Sequence, residues 1–121
     1  MNADILNDLA ARVEALAGQN RAIEYEIADA TLGPMKSPYR RGYVQAYTAS
    51  IDSAMTLLPP DAFWRVGHDA DDPAWMMAQV SYDRGEGRLG FTTGTAETAA
   101  MAMTAAALRA HAAIAKENEG G

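Results

Sequence analysis

The chain has no cysteine. That absence excludes a disulfide framework, a thiolate zinc site and a cysteine nucleophile together. Basic residues are scarce as well: ten Lys+Arg stand against sixteen Asp+Glu in 121 residues, a formal charge of −6 at pH 7. Phosphate contacts need cations, so a broad basic face that clamps bare nucleic acid is not expected. Long apolar runs are missing too. Although 49% of the residues are hydrophobic, no stretch approaches the ~20 consecutive apolar residues of a membrane span. Asp4 and Asp8 lie near the N-terminus with no early cation, so no secretory signal is expected and a cytoplasmic protein without a membrane partner is. What is plentiful is alanine, 26 residues weighted towards the last quarter.

Hydrophobic spacing divides the chain into one domain, 1–121, with several parts. Over 1–33 two helices are expected. Asn2 can cap the first, and Ile5, Leu9, Val13 and Leu16 recur on one face. Gly18 is a candidate left-handed stop, and Asn20 can cap a second helix in which Ile23 and Ile27 share a face. Glu24, Glu26 and Asp29 are assigned to its solvated outer face. Residues 34–47 form a basic, tyrosine-rich connector whose prolines and glycines argue against a regular element.

The remainder, 48–116, reads as an α-β-β-β-α core. Thr48 or Ser50 caps a short helix that carries Ile51, Met55 and Leu58 on one face and ends at Pro59-Pro60. The period then changes to two. Trp64, Val66 and His68 share a face opposite Phe63 and Arg65; Ala74, Met76, Ala78, Val80 and Tyr82 share one opposite Trp75, Met77, Gln79 and Ser81. A polar turn at 83–87 leads to a third strand near Arg88 to Thr92, in which Leu89 and Phe91 point the same way. Short connections imply a three-stranded antiparallel meander. The last helix is expected from a Thr95 cap to about Lys116, with 117–121 as a frayed tail. It carries two apolar stripes: Ala96, Ala100, Met103, Ala107, Ala110 and Ile114, then Met101, Ala105, Leu108, Ala112 and Ala115. Covering one sheet face needs only one stripe, so the second implies another contact, either the N-terminal helices or a second subunit. The fold class is thus α+β, a layered α/β sandwich.

Val13-Glu14-Ala15-Leu16-Ala17-Gly18, the stretch YTASIDSAMTLLP from Tyr47 to Pro59, Phe63-Trp64 and Ala105-Ala106-Ala107-Leu108-Arg109-Ala110 resemble the phage ABA sandwich domain family of small phage and prophage proteins. The resemblance covers most of the chain. It departs at Thr98, where the family usually has proline, and in a connector, 34–46, that is longer than usual. It implies a layered α/β fold and a phage origin, and it carries no catalytic residue over to this sequence. The order of elements is also that of double-stranded RNA-binding domains, whose last helix opens on a lysine cluster. Here that position is Thr95-Ala96-Glu97-Thr98, so the chemistry for gripping RNA is missing.

Candidate chemistry is sparse. His68-Asp69-Ala70-Asp71-Asp72-Pro73 groups three carboxylates with an imidazole, but lacks the glycine turn of a calcium loop and reads as a solvated connection; no metal or other cofactor is expected. His111 has no nucleophile or acid nearby in sequence, Gly85-Glu86-Gly87 lacks the lysine-serine pair of a phosphate loop, and Ser37, Ser50, Ser53 and Ser81 lack a nucleophile-elbow context. An enzyme is not expected. The charge is uneven: −4 over 1–33, +2 over 34–60, −3 over 61–95 and −1 over 96–121. Lys36, Tyr39, Arg40, Arg41, Tyr43 and Tyr47 are the candidate ligand or partner contacts, since guanidinium pairs bidentately with anions and the rings stack. Trp75, Met77, Met101 and Leu108 are the candidate surface of a homo-oligomer. The expectation is a phage accessory protein that binds a host protein or complex, antagonising a defence system such as CRISPR interference. The alternatives are an oligomer that sequesters an anionic small molecule such as a nucleotide signal, and a virion-associated structural protein.

Overall fold

Asn2 opens the first helix as its position predicts: its Oδ1 accepts from the amides of Asp4 at 3.0 Å and Ile5 at 3.1 Å. The computed structural model describes residues 1–32 and 44–120. Helix α1 (Ala3–Glu14) buries Ala3, Leu6, Leu9, Ala10 and Val13. Ile5 lies about a quarter-turn round the helix from Val13 and is exposed, so the buried face is centred on Leu6 and Val13 and not on the Ile5 stripe. Gly18 is not the helix stop either. The helix closes through the Ala15 amide on the Ala11 carbonyl, and Leu16 adds a tighter bond to Val13. Helix α2 (Arg21–Leu32) is capped by Asn20, whose Oδ1 accepts from the Ile23 amide at 3.0 Å. Helix α3 (Ile51–Met55) is capped by Ser50.

Three strands follow, β1 (Phe63–His68), β2 (Met76–Gly85) and β3 (Arg88–Ala96), in the spatial order β1-β2-β3 and antiparallel throughout. The β2–β3 turn needs positive φ at three successive residues, Gly85, Glu86 and Gly87, and glycine supplies two of them without steric cost. Strand β3 runs through Ala96, beyond the expected end near Thr92, because Thr93 and Thr95 continue the alternation and keep pairing with Gln79 and Met77. Helix α4 (Ala99–Gly120) therefore starts later than expected. Thr98, and not Thr95, caps it, accepting from the Met101 amide at 3.2 Å. It also continues past Lys116, where Arg84 holds the Glu117 carboxylate at 2.6 Å, so 117–120 belong to the helix and not to a frayed tail.

Helix α4 is the centre of the fold. One side packs on β2 and β3, and the other meets α1 and α3. Met101 to Leu108 are buried without a break, which requires neighbours on every side. Its alanines set the spacing. A Cβ at Gly94 would lie 2.3 Å from the Ala102 carbonyl oxygen and 2.8 Å from the Ala106 nitrogen, so strand and helix backbones are nearly in contact. The Thr92 hydroxyl donates to the Ala106 carbonyl at 2.7 Å across the same interface. The second apolar stripe is thus satisfied by α1 and α3.

The sheet's other face carries no described element. Pairing aligns Phe63 with Ser81 and Phe91, Arg65 with Gln79 and Thr93, and Asp83 with Leu89 on that face. Phe63, Leu89 and Phe91 are exposed there.

Candidate functional site

Of the six candidate contact residues, Lys36, Tyr39, Arg40, Arg41 and Tyr43 lie outside the described residues. Tyr47 is buried in the core, its carbonyl accepting from the buried Thr104 hydroxyl at 2.8 Å. Its ring is core material, not a free contact surface. The four oligomer candidates divide. Met101 and Leu108 are fully buried inside the chain, because α1, α3 and the sheet already enclose α4, so neither is available to a second copy. Trp75 is half-buried and lines a cleft with Ala11, Glu14, Asp69 and Asp72, whereas Met77 is half-buried on the bare side of the sheet.

The second helix holds a residue the charge pattern misassigns. Glu24 is fully buried, not solvated. Its carboxylate accepts from the Thr48 amide at 2.9 Å, the Thr48 hydroxyl at 2.7 Å, Arg21 Nη1 at 2.9 Å and Gln19 Nε2 at 3.3 Å. Arg21 also donates to the carbonyls of Val44 at 2.8 Å and Gln45 at 3.1 Å, and its guanidinium lies 5.3 Å from the centre of the Tyr25 ring. Together these bonds fix residues 44–48 against α2, while Thr104 fixes them against α4. Burial pushes the Glu24 carboxyl up, but the donors from Thr48, Arg21 and Gln19 outweigh it and hold the group below its ordinary value of 4.5. Round the helix Glu24 lies between Ile27 and Ala28, so it falls within the arc that Ile23, Ile27 and Ala28 define. That adjacency was the available signal.

A second clamp joins α1, β3 and α4. Arg109 reaches both oxygens of Glu14, its Nη1 at 2.8 Å, and donates to the Thr93 carbonyl at 2.9 Å; Glu14 in turn accepts from the Thr95 amide at 2.8 Å. Burial raises the Glu14 carboxyl, and the bonds from Arg109 and Thr95 bring it below 4.5. Two of the three loop acids are turned onto their own backbone: Asp69 accepts from the Asp71 amide at 3.1 Å and Asp72 from the Ala74 amide at 3.2 Å. Among the described residues no group of three His, Asp or Glu side chains is arranged to hold a metal ion. No helix among them is long and apolar enough to cross a membrane.

Between α1 and α2 runs a groove of about 590 Å³ lined by Asp4, Ile5, Asp8, Leu9, Arg12, Glu26, Asp29 and Ala30. Arg12 bridges it, meeting Glu26 through two bonds at 2.6 and 3.0 Å and Asp8 at 3.7 Å. The bond to Arg12 holds the Glu26 carboxyl below 4.5. Asp4, Asp8 and Glu26 against Arg12 make the rim negative, and the exposed Ile5 side chain with Leu9 and Ala30 makes the floor apolar. No family model, curated protein or solved structure matches the chain. The groove therefore has to be interpreted from its own chemistry: an acidic rim favours cationic side chains, and an apolar floor favours one anchoring hydrophobic residue.

Proposed function

We propose that the protein is a small non-catalytic phage or prophage accessory protein that binds a host protein through the acidic α1–α2 groove and so antagonises a host defence system such as CRISPR interference. The groove is the observation that supports it. A negative rim around an apolar floor suits a basic partner surface, including one that otherwise receives nucleic acid, because complementary potentials speed encounter and fix register. The sequence resemblance to small phage proteins supplies the setting. The half-buried Glu14–Arg109 pair and the buried Glu24 are spent on joining elements, which suits a rigid binding scaffold.

Capture from host lysate on the immobilised full chain tests this. One discrete complex is expected, and it should weaken with salt, as a partly electrostatic contact must. The double substitution Asp4→Lys with Asp8→Lys, both at exposed positions, should abolish capture without changing the circular dichroism. Capture that survives charge reversal, or no enrichment above background, refutes the assignment.

A further inference from the structure

We infer that the bare face of the sheet is a self-association surface and that its occupant is a second copy of this chain, packed sheet against sheet. Phe63 is 73% exposed, Phe91 59% and Leu89 54%. Those three side chains leave on the order of 400 Å² of surface in water, the size at which a patch on a monomer is commonly functional. Adding Arg65, Met77, Gln79, Ser81 and Thr93 from the same face brings the area towards the ~800 Å² per partner of a stable complex.

Charge points to the same occupant. Each copy carries −6, so two copies approaching at random repel. The rows through Phe63, Arg65 and Met77 contain no carboxylate, and their single charge, Arg65, is hydrogen-bonded to Gln79 at 2.6 Å. The one carboxylate beside Leu89, Asp83, lies at the turn end of the face and accepts from the Gly85 amide at 2.7 Å. Two chains can meet over the first three rows without stacking acid on acid.

Shape makes the face self-complementary, as a two-fold interface requires. In the row Phe63–Ser81–Phe91 a small residue stands between two aromatic ones. A depression of about 370 Å³ opens there, lined by Phe63, Trp64, Arg65, Gln79, Ser81 and Phe91. The same patch thus offers both the ring and the recess that receives a ring from the other copy, with sheets at the usual ~10 Å separation.

Light scattering of the full chain at tens of micromolar tests this, with a mass of twice 12.9 kDa expected. Phe91→Asp and, separately, Phe63→Asp should each raise the dissociation constant at least about 100-fold, since each residue enters a two-fold interface twice. Both side chains are exposed, so the melting profile of the monomer should persist and report that the fold is intact. A wild-type mass of 12.9 kDa at that concentration, or a dimer indifferent to both substitutions, overturns the proposal. So does new protection of β1 amides from hydrogen exchange on dimerisation, which marks edge-to-edge pairing of strands and not face packing. A monomer that loses capture of a host protein when Phe91 is replaced also overturns it, and assigns the face to that partner.

Discussion

Replacing Glu24 by glutamine changes one atom and removes the charge, and the geometry says what that costs. The carboxylate accepts on both oxygens, from Arg21 on one and from the Thr48 amide and hydroxyl on the other. An amide accepts on one side only. Whichever way the new side chain turns, its NH₂ group faces either the guanidinium of Arg21 or the backbone N–H of Thr48, donor against donor. The substitution therefore loses at least one charge-assisted bond, ~1.5–3 kcal/mol, and leaves a buried donor unsatisfied, ~1–3 kcal/mol. About 3 kcal/mol is expected, a large share of the ~5–15 kcal/mol that a domain has in all, with a fall in Tm of about 12 °C. Urea unfolding followed by circular dichroism measures it, and an unchanged m-value shows that the native surface is unaltered. The pH dependence gives a second check. Because the folded Glu24 titrates below 4.5, its stabilisation is complete above 4.5 and is lost as the pH falls through the lower folded value. The difference between wild type and Glu24→Gln should accordingly shrink in acid. A cost under about 1 kcal/mol at neutral pH would show that Glu24 is an ordinary solvated helix charge, and a cost that does not shrink as the pH falls would show that it does not come from the charge.

Two further outcomes follow from the packing and from the connector. Gly94→Ala places a methyl group 2.3 Å from the Ala102 carbonyl oxygen; helix and strand must separate, costing about 3 kcal/mol in urea unfolding, and a loss below about 1 kcal/mol would mean that the α4–sheet interface yields easily. If Lys36, Arg40 and Arg41 hold an anionic small molecule, a nucleotide should raise Tm by mass action, and Arg40→Ala with Arg41→Ala should abolish that rise. A rise that both substitutions leave intact excludes the connector as the anion site.

Element order was legible because it rests on periodicity. The change from steps of three and four to steps of two between Leu58 and Phe63 marks the passage from helix to sheet, and Asn2, Asn20 and Ser50 cap where a short polar side chain precedes an apolar repeat. What was not legible depended on partners distant in the chain. Glu24 resembles its neighbours Glu26 and Asp29 until Thr48, 24 residues on, is known to sit against it. Arg109 lies 95 residues from Glu14. The two-sided burial of α4 was visible as an apolar surplus, yet composition does not tell a helix of the same chain from a second subunit. Only the packing of α1 and α3 assigns it, and it withdraws Met101 and Leu108 from any intermolecular role.

Strand β3 shows where a hydrophobic rule gives way to a steric one. Its large residues, Leu89 and Phe91, face water, while Gly90, Thr92 and Gly94 face the helix. Burial alone favours the opposite register, since a one-residue slip would turn both large side chains inward. The slip is blocked by thickness. With Gly94 almost touching the Ala102 carbonyl there is no volume under α4 for a phenyl ring, and forcing one in would lift the helix off β2 as well. The alanines that bring α4 down onto the sheet thus also drive the bulk of β3 to the other side. An apolar outer face is the consequence of the narrow inner one, and in a chain of net charge −6 it is a surface on which contact with another copy costs little in charge.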